Sequence, residues 1–186
     1  MLLHIKNMVC DRCTMVVRQQ LEHLDLQVSE ISLGTALVYP DPSENKLREI
    51  AASFKVLGFE LIDNEKDRLI ESIRNTVIEI IHHSDLTQHI IFSQVLTDRL
   101  HKDYSYLSRL FSESGDLTIE KFIIQQKIEK VKELLQYGEL NLNEIAWKIG
   151  YSSSAHLSNQ FKSVTGLSPR EFKTMKLNSR KPLDKI

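Results

Sequence analysis

Cys10 and Cys13, three residues apart, are the only cysteines in 186 residues. They follow the apolar run LLHI and open a helical pattern. A helix start acidifies a thiol, and the neighbouring Arg12 adds positive charge. Two thiolates at this spacing can grip a soft ion such as Cu(I) in a nearly linear or trigonal site, and Zn(II) only if further ligands arrive. The same pair could instead cycle between dithiol and disulfide, or be a loop kept only for its contacts. A structural staple is excluded, because the ring it would close is too small. His4 is close enough in sequence to donate, but a histidine in a strand is more often a surface residue. With no glycine-rich phosphate loop and no nucleophile elbow, no enzymatic chemistry is expected.

A second set of residues suits recognition rather than ligation. In SQVLTDRLHKDYSYLSRLFSESG, one helix ends through Val95, Leu96 and Leu100, Asp103 is placed to cap the next, and Leu107, Leu110 and Phe111 face inward. Ser105, Ser108 and Arg109 are left pointing outward. The pattern recurs in LNLNEIAWKIGYSSSAHLSNQFKSVTG. There Leu142, Ile145, Ala146 and Ile149 form one buried face, Gly150 makes the turn, Ser152 is placed as cap, and Leu157 and Phe161 face inward. Ser154, Ala155, Ser158 and Asn159 are left outward. Across a short turn, such a face meets base edges, where Asn can bond adenine bidentately and Ala can touch a thymine methyl. Ser152, Ser153 and Lys162 suit phosphates, through helix-start amides and charge. Taken singly, each of these is equally well an exposed polar surface residue.

The elements that must position these groups follow from periodicity. Over 1–64 the order is strand, helix, strand, strand, helix, strand, with Gly34 in a hairpin and Ser43 and Gly58 bounding the second helix; this is the split βαβ, ferredoxin-like arrangement of an α+β domain. Val16, Val17, Gln20, Leu21 and Leu24 mark the inner face of the first helix. Residues 65–83 form a connecting helix with the stripe Leu69, Ile70, Ile73, Val77, Ile80 and Ile81, ending at His82 and His83, which favour the negative end of the helix dipole. Residues 84–178 read as all-α, two helix-turn-helix units joined by the long helix TIEKFIIQQKIEKVKELLQYG, which Thr118 caps. That helix would set two recognition helices about 34 Å apart without dimer symmetry. Capping boxes at Asn141/Glu144 and Ser168/Glu171, the latter with Pro169, mark two further helix starts.

Residues 179–186 read as a basic tail. The chain's net charge of −1 hides an asymmetry, since eight basic residues against Glu171 and Asp184 follow from Lys148 onward. A polyanion partner fits that end. Hydrophobic residues make up 41% and charged residues 26%, a balance that excludes a disordered chain. No apolar run is long enough to cross a bilayer, so a cytoplasmic location is expected.

Two resemblances follow. YLSRLF, KIEKVKELL, EIAWKIGYSSSAHLSNQFK and VTGLSPREFK resemble the double helix-turn-helix DNA-binding domain of the AraC/XylS family of transcription regulators. That resemblance implies base-reading roles for Ser105, Ser108 and Arg109 in the first unit and for Ser154, Ala155, Ser158 and Asn159 in the second. The segment Asn7-Met8-Val9-Cys10-Asp11-Arg12-Cys13, in its βαββαβ setting, resembles the heavy-metal-associated domain of copper chaperones and metal-pumping ATPases, with Asn7 where that loop usually has Gly. Together they imply a regulator of operator DNA that responds to a thiophilic ion, Cu(I) before Zn(II), at Cys10 and Cys13. RNA polymerase is admitted as a further partner, and monomer and homodimer are both left open. A thiol redox-sensing regulator, or a metal-trafficking protein whose helical half binds protein partners, are the rival readings.

Overall fold

The computed structural model describes residues 1–84, 90–115, 117–175 and 180–186. The chain divides into two units, Met1–Asn75 and Thr76–Ile186.

In the first unit, β1 (Leu2–Lys6), α1 (Asp11–His23), β2 (Gln27–Ser32), β3 (Thr35–Tyr39), α2 (Glu44–Val56) and β4 (Glu60–Leu61) follow one another. The strands form one antiparallel sheet in the order β2-β3-β1-β4. Strand alternation sends Leu3, Ile5, Ala36 and Val38 into a core that Val17 and Leu21 of α1 and Ile50 and Phe54 of α2 complete. Burying each of the larger of these side chains stabilises the unit by about 1.5–3 kcal/mol. Two expectations are corrected here. The FELID strand shrinks to the two residues of β4, because only Glu60 and Leu61 pair with β1. Val16, expected on the inner face of α1, is exposed beside Met15, and Val17 and Leu21 carry the burial.

Gly34 makes the β2–β3 turn at φ +85, a left-handed conformation that side chains disfavour. A Cβ there would also fall 2.1 Å from Asn75 Nδ2. Gly34→Ala is therefore expected to destabilise the first unit by about 1–2 kcal/mol, read as a lower denaturation midpoint with unchanged slope.

The helix α3 (Glu65–Ile78) starts in the first unit and ends in the second, where a π-helical turn, Glu79–His83, continues it. Ile73, Val77, Ile80 and Ile81 of the expected stripe are buried, whereas Leu69 and Ile70 are half-buried. His82 corrects the dipole reading. Its Nε2 lies 2.9 Å from Gln126 Oε1, and burial pushes its pKa down to about 4, so it is held neutral rather than as a cation.

The rest of the second unit comprises α4 (Phe92–Leu100), α5 (Tyr104–Glu113), α6 (Ile119–Tyr137), α7 (Leu142–Lys148), α8 (Ser154–Thr165), α9 (Pro169–Thr174) and a 3-10 turn, Leu183–Lys185. The caps at Thr118, Asn141 and Ser168 form as the sequence implies, the last two as full capping boxes. Two other caps differ. Asp103 holds the N-cap position of α5 but makes no side-chain bond, and Ser153, not Ser152, caps α8 by accepting from the His156 amide. Where it is described, the expected basic tail is tied to α6. The Arg180 guanidinium donates to Glu133 at 2.8 Å, and the Lys181 amide donates to Glu129 at 3.0 Å. Residues 85–89, just past the expected start of the helical domain at 84, and 176–179, with Lys176 and the expected 178/179 boundary, lie outside the described residues. Among the described residues no helix is long and apolar enough to cross a membrane.

Candidate nucleic-acid interface

The two helix pairs repeat each other in register. Counted from the N-cap residues Asp103 and Ser153, Ser105 and Ala155 hold one position, Tyr106 and His156 the next, then Ser108 with Ser158 and Arg109 with Asn159. The inward positions agree too, since Leu107 and Leu157 coincide, as do Phe111 and Phe161, and all four are fully or almost fully buried. The 3.6-residue period then leaves one face of each helix free of the core.

On α5 that face exposes Ser105, Tyr106 and Arg109, while Ser108 is half-buried. Arg109 lies 5.9 Å from the Tyr106 ring centroid and 4.0 Å from Glu113, a weak surface pair that leaves the guanidinium available. On α8 the corresponding face exposes Ala155, His156, Asn159 and Lys162. Ser154 and Ser158, expected to point outward, are half-buried, and the Ser158 hydroxyl donates back to the Ser154 carbonyl at 2.8 Å. Ser152 and Ser153 both engage the start of α8. The Ser153 hydroxyl caps it, and Ser152 Oγ lies 3.1 Å from His156 Nδ1.

Sequence reasoning passed over Tyr106 and His156. Each stands one residue beyond an expected base-facing position, and an exposed aromatic in the first turn of a helix is the signal that could have found them. Trp147 of α7, 65% exposed, was passed over as well.

The helices are held by distinct sets of contacts. In the first pair, Phe111 packs on Phe122 of α6 with ring centroids 5.6 Å apart. The Tyr104 hydroxyl donates to Glu120 at 2.5 Å, tying the start of α5 to the start of α6; burial and that carboxylate push the phenol's pKa up. In the second pair, Ile145 and Ala146 of α7, Ile149 just after it, and Leu157 and Phe161 of α8 share one cluster with Ile128, Val131 and Leu135 of α6 and Phe172 of α9. The spacer α6 has 19 residues, a length of about 28 Å at ~1.5 Å per residue.

The thiol loop belongs to the first unit. Asn7 adopts φ +71, its side chain donates to the Gly58 carbonyl at 2.9 Å, and its amide donates to Glu71 of α3 at 3.0 Å. Met8 is fully buried beneath the loop. Cys10 and Cys13 are half-buried free thiols with sulfurs 3.5 Å apart. Burial pushes the Cys10 thiol up, but bonds from the Cys13 amide and thiol and from the Arg12 amide, with the Arg12 charge, outweigh it and hold its pKa below the ordinary range. Burial holds Cys13 above it. Among the described residues no third His, Cys, Asp or Glu, His4 included, joins the two in a group able to hold a metal. Two sulfurs alone suit a soft, low-coordinate ion better than tetrahedral Zn(II).

Residues 96–175 match the family described as a helix-turn-helix domain. The Msm operon regulatory protein of Streptococcus mutans is 27% identical over 139 residues, covering 72% of this chain and 50% of that protein. The HTH-type transcriptional activator RhaS of Escherichia fergusonii is 23% identical over 160 residues, covering 83% of this chain and 54% of that protein. The C-terminal domain of AraT, a response regulator from Geobacillus stearothermophilus, shares the fold with a TM-score of 0.53 at 22% identity, covering 62% of this chain and 92% of that one. An AraC-type transcriptional regulator from Chromobacterium violaceum does so with a TM-score of 0.50 at 16% identity, covering 58% and 95%. This chain spans about half the length of the Streptococcus and Escherichia relatives.

Proposed function

We propose that this chain, whose C-terminal unit is a helix-turn-helix domain resembling those of AraC-type regulators, is a sequence-specific transcription regulator that reads two successive major-groove segments with α5 and α8. The observation that carries the reading is the register identity of the two helices, each presenting the same exposed positions from one shared spacer. Arg109 and Asn159 are the principal base readers, with Ser105 and Ala155 beside them; the half-buried Ser108, Ser154 and Ser158 line their inner edge. Ser152, Ser153 and Lys162 take phosphates. The regulatory relatives, an operon regulator and a transcriptional activator by name, support the same reading.

The first unit serves as the sensor. Its βαββαβ order and β2-β3-β1-β4 sheet support a ferredoxin-like domain. Cys10 and Cys13 would hold a thiophilic ion, Cu(I) before Zn(II), which supplies two strong sulfur bonds across the loop when bound. Asn7 ties that loop to α3 through Glu71, so the backbone of the loop and the setting of α3 depend on each other. A coupling of about 1–3 kcal/mol along that route suffices for a switch. The 3.5 Å sulfur separation also favours a second reading, in which the pair senses oxidants as a reversible disulfide.

Selection of preferred sequences from a random DNA pool, run with the reduced chain, with Cu(I) and with a mild oxidant, tests both halves. A single bipartite sequence is expected in every arm, with an affinity that differs between the reduced and Cu(I) arms and does so no longer in Cys10→Ser. Unchanged affinity in all arms removes the sensor and leaves the DNA reader. A response to oxidant alone selects the redox reading.

A further inference from the structure

Lys127 lies in the middle of α6, and its ammonium sits over two aromatic faces, 5.8 Å from the ring centroid of Phe92 and 5.3 Å from that of Tyr151. The two rings come from different helix pairs. Phe92 opens α4 in the first, and Tyr151 stands in the turn between α7 and α8 in the second. Phe92 and Val95 nonetheless pack against the core cluster of the second pair, as Tyr151 does, so α4 already leans on both. Tyr151 in turn meets the ring of His156 edge-on, with centroids 5.2 Å apart, in the first turn of α8.

The carboxylates of α6 are engaged elsewhere. Glu129 pairs with Lys132, Glu133 with Lys130 and Arg180, and Glu120 with Tyr104. Among the described residues the two ring faces are what hold Lys127. A half-buried ammonium without an acid partner is costly, and burial alone depresses its pKa. Each ring quadrupole offsets part of that cost, and the offset is largest while both rings face the same cation. Methionine or leucine would fill this place without the cost, but would not fix the two rings in a common orientation.

We propose that Lys127 is the positioning residue that sets one reading helix against the other, clamping Phe92 of the first helix pair and Tyr151 of the second to a single point on the spacer. Through Tyr151 and His156 the clamp also fixes the first turn of α8. The inference rests on the DNA reading above for its consequence, though not for its geometry.

The test uses the full chain as wild type, Lys127→Met and Lys127→Arg, with two readouts. The first is affinity for the selected bipartite site against the same site lengthened by a few base pairs between its segments. The wild type prefers the parent spacing, Lys127→Met is expected to lose about tenfold of that preference, and Lys127→Arg to keep it. Binding to the isolated segment read by α8 changes far less. The second readout needs no DNA: amide hydrogen exchange is expected to quicken in Lys127→Met at 92–96 and 149–156 while α6 stays protected. An unchanged spacing preference with unchanged exchange overturns the clamp. So does exchange that quickens uniformly over 90–175, which marks a general loss of stability. A wild type without any DNA preference, combined with localised exchange in Lys127→Met, overturns the DNA reading and leaves the clamp standing.

Discussion

A chain carrying both Arg109→Ala and Asn159→Ala is expected to lose about 2–6 kcal/mol of binding to its selected site, about 1–3 from each, while its binding to scrambled DNA falls only slightly. The two side chains hold equivalent positions on separate helices and share no partner among the described residues, so their effects should add. Both are exposed, and Arg109 gives up only a 4.0 Å surface pair with Glu113 when it engages a base. Neither packs in the core, so the folded unit survives the change and a loss of binding reports on reading rather than stability. Nonspecific affinity rests on phosphates. Lys162 and the start of α8 are untouched, and losing the one cation at Arg109 lowers the salt dependence by at most about one counterion. Titration on selected and scrambled duplexes at one salt concentration separates the outcomes. Equal losses on both duplexes would mean that these residues supply charge or structure rather than sequence recognition.

Acid is expected to destabilise the second unit through His82, by about 3 kcal/mol between pH 6.5 and pH 4. Folded, its pKa is pushed down to about 4, first by burial; the unfolded value is near 6.5. Between those values the unfolded chain binds the extra proton and the folded chain does not, so stability rises with pH across this window and is lost as pH falls through it. The charged and titratable groups around the ring are Lys130, Glu133 and His83. Gln126 Nε2 donates to the Leu183 carbonyl, which turns its Oε1 towards the imidazole and assigns the proton of neutral His82 to Nε2. A glutamine can make the same donation without titrating. The difference in unfolding free energy between wild type and His82→Gln should therefore shrink or reverse sign as pH falls from 6.5 to 4. Carboxylates away from the ring cancel in that comparison. A pH-independent difference would mean that the ring takes up its proton in the folded state.

The sequence made the local features legible and left the distant ones hidden. Asn141/Glu144 and Ser168/Glu171 carry their capping chemistry within four residues, and the repeated inward positions Leu107, Phe111, Leu157 and Phe161 need only periodicity. Three consecutive serines, 152–154, could not be told apart by type, so the cap of α8 came out one residue early. His82 ends an apolar stripe, where a dipole contact and burial predict opposite charges; burial against elements distant in sequence decides for the neutral form, although the bond to Gln126, 44 residues away, pulls the other way. The bond from Asn7 to Glu71 spans 64 residues, and nothing in the CxxC loop announces it. Lys127 read as one more polar residue on a long helix, because its two rings lie 35 residues before it and 24 after. The half-burial of Ser108, Ser154 and Ser158 has a similar origin. Small polar residues at the edge of an amphipathic stripe go inward or outward according to what packs beside them.

The claim on which the rest depends is that one chain reads two segments of one duplex. Chemical footprinting of guanine N7 and adenine positions on the selected site, with the mass of the complex determined in parallel, tests it most directly. One chain per duplex and two protected major-groove patches on the same side of the DNA, about 10 base pairs apart, are expected, with Arg109→Ala erasing one patch and Asn159→Ala the other. A single protected patch per chain, or two patches that appear only when two chains are bound, would contradict it.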